Sequence, residues 1–307
     1  MQILDEIVYG TDSTQSAIDA LVANRAFRDA DIAFAIGGGK AIDTVKTAAK
    51  ELDKTVFSVP TICSNCSSAT AIAVVYNDDH SLKGYAYPDA PAHIFINPAI
   101  IAAAPEEYFW AGIGDALSKQ PEVEYAASEA ELTHTGTLGL TLAHTCTDPL
   151  MAYGEQGLAD VRVGQSSEAV RQIALDIVVN TGYVSNLTNQ PDFYYNSSLA
   201  HAFYNATTGV QRPGRTLLHG EVVSFGVLVL FAYTGDTEQL ARYAAFNKKL
   251  GLPVTLAELD LDESHLQRIA ELAQNTNEWK QANPAPFSPE GFIEAIKAAD
   301  AFGRNLK

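Results

Sequence analysis

Positive charge is scarce in this chain. Its 20 lysines and arginines stand against 37 acidic residues, a formal charge of −17 over 307 residues. Such a surface repels phosphate backbones and anionic lipid, so nucleic-acid and membrane roles are disfavoured. Cysteine is scarcer still. Three residues cannot build a disulfide framework, and a reducing, cytoplasmic setting is expected. No apolar run is long enough to span a bilayer. Residues 1–6 have neither the basic start nor the apolar stretch of a signal peptide. Internal repeats, linkers and low-complexity tracts are also lacking. What remains is an ordinary globular composition, 47% hydrophobic and 19% charged, with enough length for two domains and sizeable cores.

The organising stretch is 32–52. A short apolar run, 32–36, stops at Gly37, Gly38 and Gly39; Lys40, Asp43 and an apolar-periodic segment to about Leu52 follow. This predicts strand, tight turn and helix. Three glycines remove every Cβ from the turn, so backbone N–H groups can approach an anion closely. The helix opening at Lys40 adds its unpaired N–H groups and positive dipole end, which favour a phosphate. The pattern is neither the dinucleotide G-x-G-x-x-G nor the Walker loop. On residues alone, a nucleotide site and a plain tight turn both stay open.

Strand-like and helix-like runs alternate over the first hundred residues. Strands are expected at 7–9, 32–36, 55–59, 71–76 and 93–96, with a helix at 14–27 and a hairpin turn at Asn77, Asp78 and Asp79. Such alternation predicts a mostly parallel sheet with helices on its faces and ligands beyond the carboxyl ends of its strands. The turn at 37–40 and the loop at 60–66 both lie at that edge, so they are expected to face one crevice. From about Pro105 helical periodicity takes over. Helices are expected at 106–127, 138–153, 166–184, 199–207, 220–233, 238–250 and 263–275. A last one starts at Ser288, with Pro289 at its first position. The domains are therefore 1–105, α/β, and 106–307, all helical.

Asp115, His201 and His219 are the informative residues of the helical half. Each has apolar neighbours or opens a helix, and a carboxylate with two imidazoles suits a divalent metal with a position left for substrate. Spacing alone equally fits hydrogen-bonded core and cap residues. Cys63 and Cys66 lack the second pair that a structural zinc site needs, and they follow a strand rather than open a helix, which disfavours redox use. His80, His93, His134, His144 and His265 have no motif context.

The turn Gly-Gly-Gly-Lys-x-x-Asp, the loop Pro60-Thr61-Ile62-Cys63-Ser64 and the segment Ala111-Gly112-Ile113-Gly114-Asp115-Ala116-Leu117 occur in one order. With His201-Ala202-Phe203-Tyr204-Asn205 and His219-Gly220-Glu221, they resemble the iron-containing alcohol dehydrogenase superfamily on its glycerol dehydrogenase branch. The resemblance implies a Rossmann-like α/β nucleotide-binding domain followed by an all-α metal-binding domain, a dehydroquinate synthase-like architecture. It implies Asp115, His201 and His219 as ligands of one divalent metal, zinc on this branch and iron in others. Gly38, Gly39, Lys40, Asp43, Thr61, Ser64, Ile72 and Tyr76 would bind NAD or NADP. A homo-oligomer is expected, acting on a small polar alcohol such as glycerol, or on a 2-hydroxy or 2-oxo acid, by hydride transfer.

Three departures from the family pattern bear on this. The family begins with two further strands and their helices, on the order of 50 residues, so the α/β domain is expected to be incomplete, with an exposed sheet edge and apolar face. A catalytically silent scaffold is the alternative this raises. Cys66 stands where glycerol dehydrogenases place an Asp against the polyol, and a neutral thiol would not repel a substrate carboxylate. Pro121 is expected to kink the helix that carries Asp115, and Tyr204 replaces a second histidine.

Overall fold

The computed structural model describes residues 2–10, 12–79, 81–211, 214, 216–284 and 286–306; His80 lies outside the described residues. The amino-terminal elements are α1 (Gln15–Ala23), α2 (Arg25–Asp29), β1 (Ile32–Gly37), α3 (Gly39–Glu51), β2 (Thr55–Pro60), β3 (Ala73–Tyr76), β4 (Leu82–Ala86) and β5 (His93–Ile94). Strands β1, β2 and β5 form a parallel sheet in that order, with Phe34 beside Phe57 and Phe57 beside His93. β3 and β4 form the expected antiparallel hairpin. Alternation fixes the sheet's orientation: Ala33, Ala35 and Val56 turn into a cluster with Ile18, Ile42 and Val75, beneath α1 and α3. The opposite face carries Phe34, Phe57 and Phe95 in ring contact, and Phe34 and Ile36 are 39% and 61% exposed.

The remaining elements are α4 (Pro98–Ala103), α5 (Glu106–Ala116), α6 (Lys119–Ala127), α7 (His134–Ala143), α8 (Asp148–Arg162), α9 (Glu168–Leu175), α10 (Thr181–Thr188), β6 (Asn189–Gln190) and β7 (Phe193–Tyr194). They continue with α11 (Leu199–Thr207), α12 (His219–Thr234), α13 (Thr237–Leu250), α14 (Leu266–Ala273), α15 (Asn277–Lys280) and α16 (Pro289–Asn305). α12 is apolar on every side and buried from Gly220 to Phe231, so it has to be the axle of the bundle. α5, α11, α13 and α16 pack around it. No helix among the described residues is long and apolar enough to cross a membrane.

Several expected boundaries shift, each for a local reason. Residues 7–9 join no sheet, and Val8 is 93% exposed. The 14–27 helix divides at Asn24, whose backbone N–H closes α1 on Leu21 while its side chain accepts from Phe27 N to open α2. The 106–127 helix divides at Leu117 and Ser118. Leu117 stands four residues ahead of Pro121, which has no N–H to bond its carbonyl, so the expected interruption falls as a break between α5 and α6, with Pro121 in the first turn of α6. The 138–153 helix divides ahead of Pro149, which heads α8. Residues 166–184 bulge into a π turn, Asp176–Asn180, between α9 and α10. The helical half also contains one short hairpin, β6–β7.

Residues 61–72 run between the two halves, and a buried lysine holds them. Lys46 on α3 is fully buried; its ammonium donates to the carbonyls of Ser67, Thr70 and Ile72 at 2.7, 3.1 and 2.6 Å and pairs with Asp43 at 3.0 Å. From the helical side, Asn186 on α10 accepts from Ala71 N and donates to Ala69 O. Burial raises the Asp43 carboxyl pKa, which Lys46 opposes. Lys46→Met strips the charge partner and should destabilise the fold by about 3–5 kcal/mol at neutral pH. The folded state of that variant binds the Asp43 proton more tightly than the unfolded chain does, so the deficit should shrink as pH falls. Urea unfolding at pH 7.5 and pH 5 checks both statements; a deficit independent of pH would mean that Asp43 is not the group left stranded.

Candidate functional site

Three helices each supply one side chain to a common point. Asp115 ends α5, His201 lies in the first turn of α11 and His219 opens α12. Their ligand atoms all fall within 4.8 Å of one another. Asp115 Oδ1 is 3.0 Å from His219 Nε2 and 3.6 Å from His201 Nε2. The helices come this close because glycines line their contacts. A Cβ on Gly220 would stand 1.8 Å from Ala111 O, and one on Gly226 would stand 2.6 Å from Ala200 O, so only glycine lets α12 settle onto α5 and α11. Tyr204 packs edge-on against His219 with ring centroids 4.1 Å apart.

Glu122 on α6 fixes how His201 presents itself. Its Oε2 lies 2.6 Å from His201 Nδ1, and its Oε1 accepts from the backbone N–H groups of Ser198 and His201. A carboxylate on Nδ1 holds the proton there and turns Nε2 toward Asp115. Burial alone would raise the Asp115 carboxyl; the two imidazoles outweigh it and hold it well below the usual carboxylate range. Burial opposes charge on His201, yet Glu122 and Asp115 push its pKa up to about 10. Two facing carboxylates thus draw a cation to the spot between the rings. One carboxylate oxygen and two imidazole nitrogens fit a divalent ion of the zinc or iron type, and His219, half-buried, leaves that point open on one side. Glu122→Gln keeps the shape and removes the charge, so metal affinity should fall about 10- to 100-fold. Competition against a chromogenic chelator measures it.

The glycine turn lies across residues 61–72 from this trio. Gly37 has φ +153°, and a Cβ there would come 2.8 Å from that of Ala41, so no other residue makes this turn. Gly38 is the N-cap of α3 without a side-chain cap bond, which leaves the first-turn N–H groups for a ligand. Thr61 is tied to the turn through its N–H to Gly37 O. Lys40 leans over the Tyr76 ring, 5.1 Å from its centroid, and pairs with Asp12 at 3.0 Å. Asp43, expected with the cofactor residues, instead turns inward to Lys46 and to Val74 N at 3.0 Å; it supports the turn from behind. Thr61, Ser64, Cys66, Ile72 and Tyr76 are half-buried along the loop and hairpin. Burial pushes the Cys66 thiol up to about 11 and the Cys63 thiol higher, so both stay protonated at neutral pH.

Sequence reading alone passed over Glu122, Lys46, Lys119 and Asp12. Glu122 had a usable signal, because it follows Asp115 by seven residues and so returns to the same helical side. Asp12 had none, since Lys40 is distant in sequence; Lys46 had only Asp43, three residues before it on α3.

The sequence model of the family described as iron-containing alcohol dehydrogenase matches residues 4–105. A glycerol dehydrogenase of Thermotoga maritima is 31% identical over 98% of this chain and 82% of its own length. Hydroxycarboxylate dehydrogenase A of Escherichia coli is 30% identical over 96% of this chain and 82% of its own. Among solved structures, a probable glycerol dehydrogenase from Sinorhizobium meliloti superimposes with a TM-score of 0.85 at 27% identity, covering 97% of this chain and 84% of that one.

Proposed function

We propose that this chain, which belongs to the iron-containing alcohol dehydrogenase family, is a metal-dependent oxidoreductase that interconverts a small polyol or 2-hydroxy acid and its carbonyl form. The convergence of Asp115, His201 and His219 within 4.8 Å, across one loop from a capless glycine turn, carries this reading. Asp115, His201 and His219 would hold a divalent ion, zinc in preference to iron, which supplies Lewis-acid polarisation of the substrate oxygen. Gly38, Gly39 and Lys40 would hold the pyrophosphate of NAD(P), which accepts or returns the hydride.

The chain's own residues do the rest. Glu122 holds the Nδ1 proton of His201, so that Nε2 faces the ligand point and would offer its lone pair there once a bound ion displaces the second proton. Asp115 is buried and His201 half-buried, which limits bulk water at the reacting oxygen and strengthens the charge interactions there. Thr61 and Ser64 line the cofactor side of the cleft; Ile72 and Tyr76 line its nicotinamide side. Cys66, a neutral thiol, borders the substrate without contributing charge.

The test is a fluorescence titration of NADH into the protein with and without Zn²⁺, followed by NAD(P) reduction with glycerol and with small 2-hydroxy acids. Saturable binding and metal-dependent turnover of either class are expected. Absence of NADH binding in both conditions would overturn the proposal and leave the chain a scaffold.

A further inference from the structure

Three lysines approach the cleft, and two of them meet a carboxylate: Lys40 pairs with Asp12, and Lys46 with Asp43. The third, Lys119, has no ion pair among the described residues, although it is only 5% exposed. Its ammonium donates to Asn196 O at 2.8 Å and to Asn196 Oδ1 at 2.7 Å, both on one neutral residue. An ammonium carries three donors, and burying its charge against neutral partners alone is unfavourable. Glu122, one turn on, does not answer it, since both of its oxygens are committed to His201 and Ser198.

Lys119 sits beside the metal trio by construction. Leu117 and Ser118, which join α5 to α6, keep right-handed helical dihedrals, so Lys119 follows Asp115 by four residues, about one turn, on the same side. Asn196 stands two residues ahead of Ser198, the N-cap of the helix that carries His201. Burial raises the Cys66 thiol most, with Lys119 drawing it down and Asp115 raising it further, so the thiol feels both charges. One turn after Asp115 and hydrogen-bonded just ahead of the His201 helix, Lys119 is a fixed cation beside the trio.

We propose that Lys119 receives the carboxylate of a small 2-oxo or 2-hydroxy acid whose carbonyl or hydroxyl oxygen points to Asp115, His201 and His219, and so sets the substrate class of this site. The inference rests on the dehydrogenase reading above. In a chain of charge −17 an anionic substrate needs such a local cation. A polyol leaves the Lys119 charge unanswered; a carboxylate satisfies it.

The experiment compares 2-oxobutanoate with its neutral counterpart 1-hydroxybutan-2-one in NAD(P)H oxidation by the full, Zn²⁺-loaded chain, for the unaltered protein, Lys119→Met and Lys119→Arg. The unaltered protein should prefer the acid in kcat/KM. Lys119→Met should lower the acid-to-ketone ratio about 30-fold or more, chiefly through KM, and Lys119→Arg should restore part of it. Calorimetric titration with oxamate gives a reading independent of turnover, and its Kd should rise about tenfold or more in Lys119→Met. An unchanged ratio and unchanged oxamate affinity would overturn the inference. A preference of the unaltered protein for the hydroxyketone, or no oxamate binding to it, overturns it without recourse to variants and leaves the proposed function standing. Reduction of neither compound overturns the inference, and the dehydrogenase reading then stands or falls on NADH binding and glycerol oxidation.

Discussion

Asp115→Asn should leave a folded protein that no longer retains its metal, with kcat/KM reduced at least about 10²-fold. Removal of a carboxylate that only supports a ligand already weakens metal binding by about 10- to 100-fold, so loss of the carboxylate proposed to bind the ion directly sets a larger effect. The substitution is nearly isosteric, and it takes away the anion that both imidazoles face at 3.0 and 3.6 Å. Without it, the site offers two imidazoles and an amide oxygen, too little charge for tight binding of a divalent ion. Elemental analysis after dialysis, beside the rate, checks this. Metal content equal to that of the unaltered protein would take Asp115 out of the site, however low the activity.

Gly220→Ala should be as damaging from the opposite direction, by adding one methyl group. The added Cβ would stand 1.8 Å from Ala111 O and 2.7 Å from Asp115 N, both backbone atoms of α5 that no rotamer change can move. α12 has to retreat. Overpacking of this kind costs typically about 1–3 kcal/mol, and the backbone contacts here place the expected loss at or above the upper end. The retreat also carries His219 away from Asp115, because His219 is the residue just before Gly220. The urea midpoint and the metal affinity should therefore fall together. A variant with an unchanged midpoint and full metal content would show that α5 and α12 can separate without penalty.

The parts of this architecture written in local chemistry were legible beforehand. The strand, glycine turn and α3 were readable because a short apolar run, three glycines and an apolar period specify themselves within about twenty residues. So was α16, whose N-cap Ser288 and Pro289 stand where expected, with Ser288 accepting from Gly291 N. The ligand trio was visible as residue types, but its assembly depends on contacts between helices far apart in sequence. That is why spacing alone left Asp115, His201 and His219 undecided. The failures have the same origin. Residues 7–9 have strand composition but find no ladder to join. Asp43 looked like a cofactor residue because it shares a motif with Lys40; only the fold reveals that it turns its carboxylate to the buried side of α3.

The loop from 61 to 72 has a bearing on how such a protein changes over generations. Lys46 and Asn186 grip it through the main-chain groups of Ser67, Ala69, Thr70, Ala71 and Ile72, so its path does not depend on the side chain at position 66. The spacing between the glycine turn and the ligand trio is held by a ruler whose markings can be rewritten. If Cys66 borders the substrate as proposed, exchange there redirects the chemistry from one small molecule to another while the scaffold stays still. A lineage built this way can wander among neighbouring substrates by single substitutions, with little to lose in folding at each step.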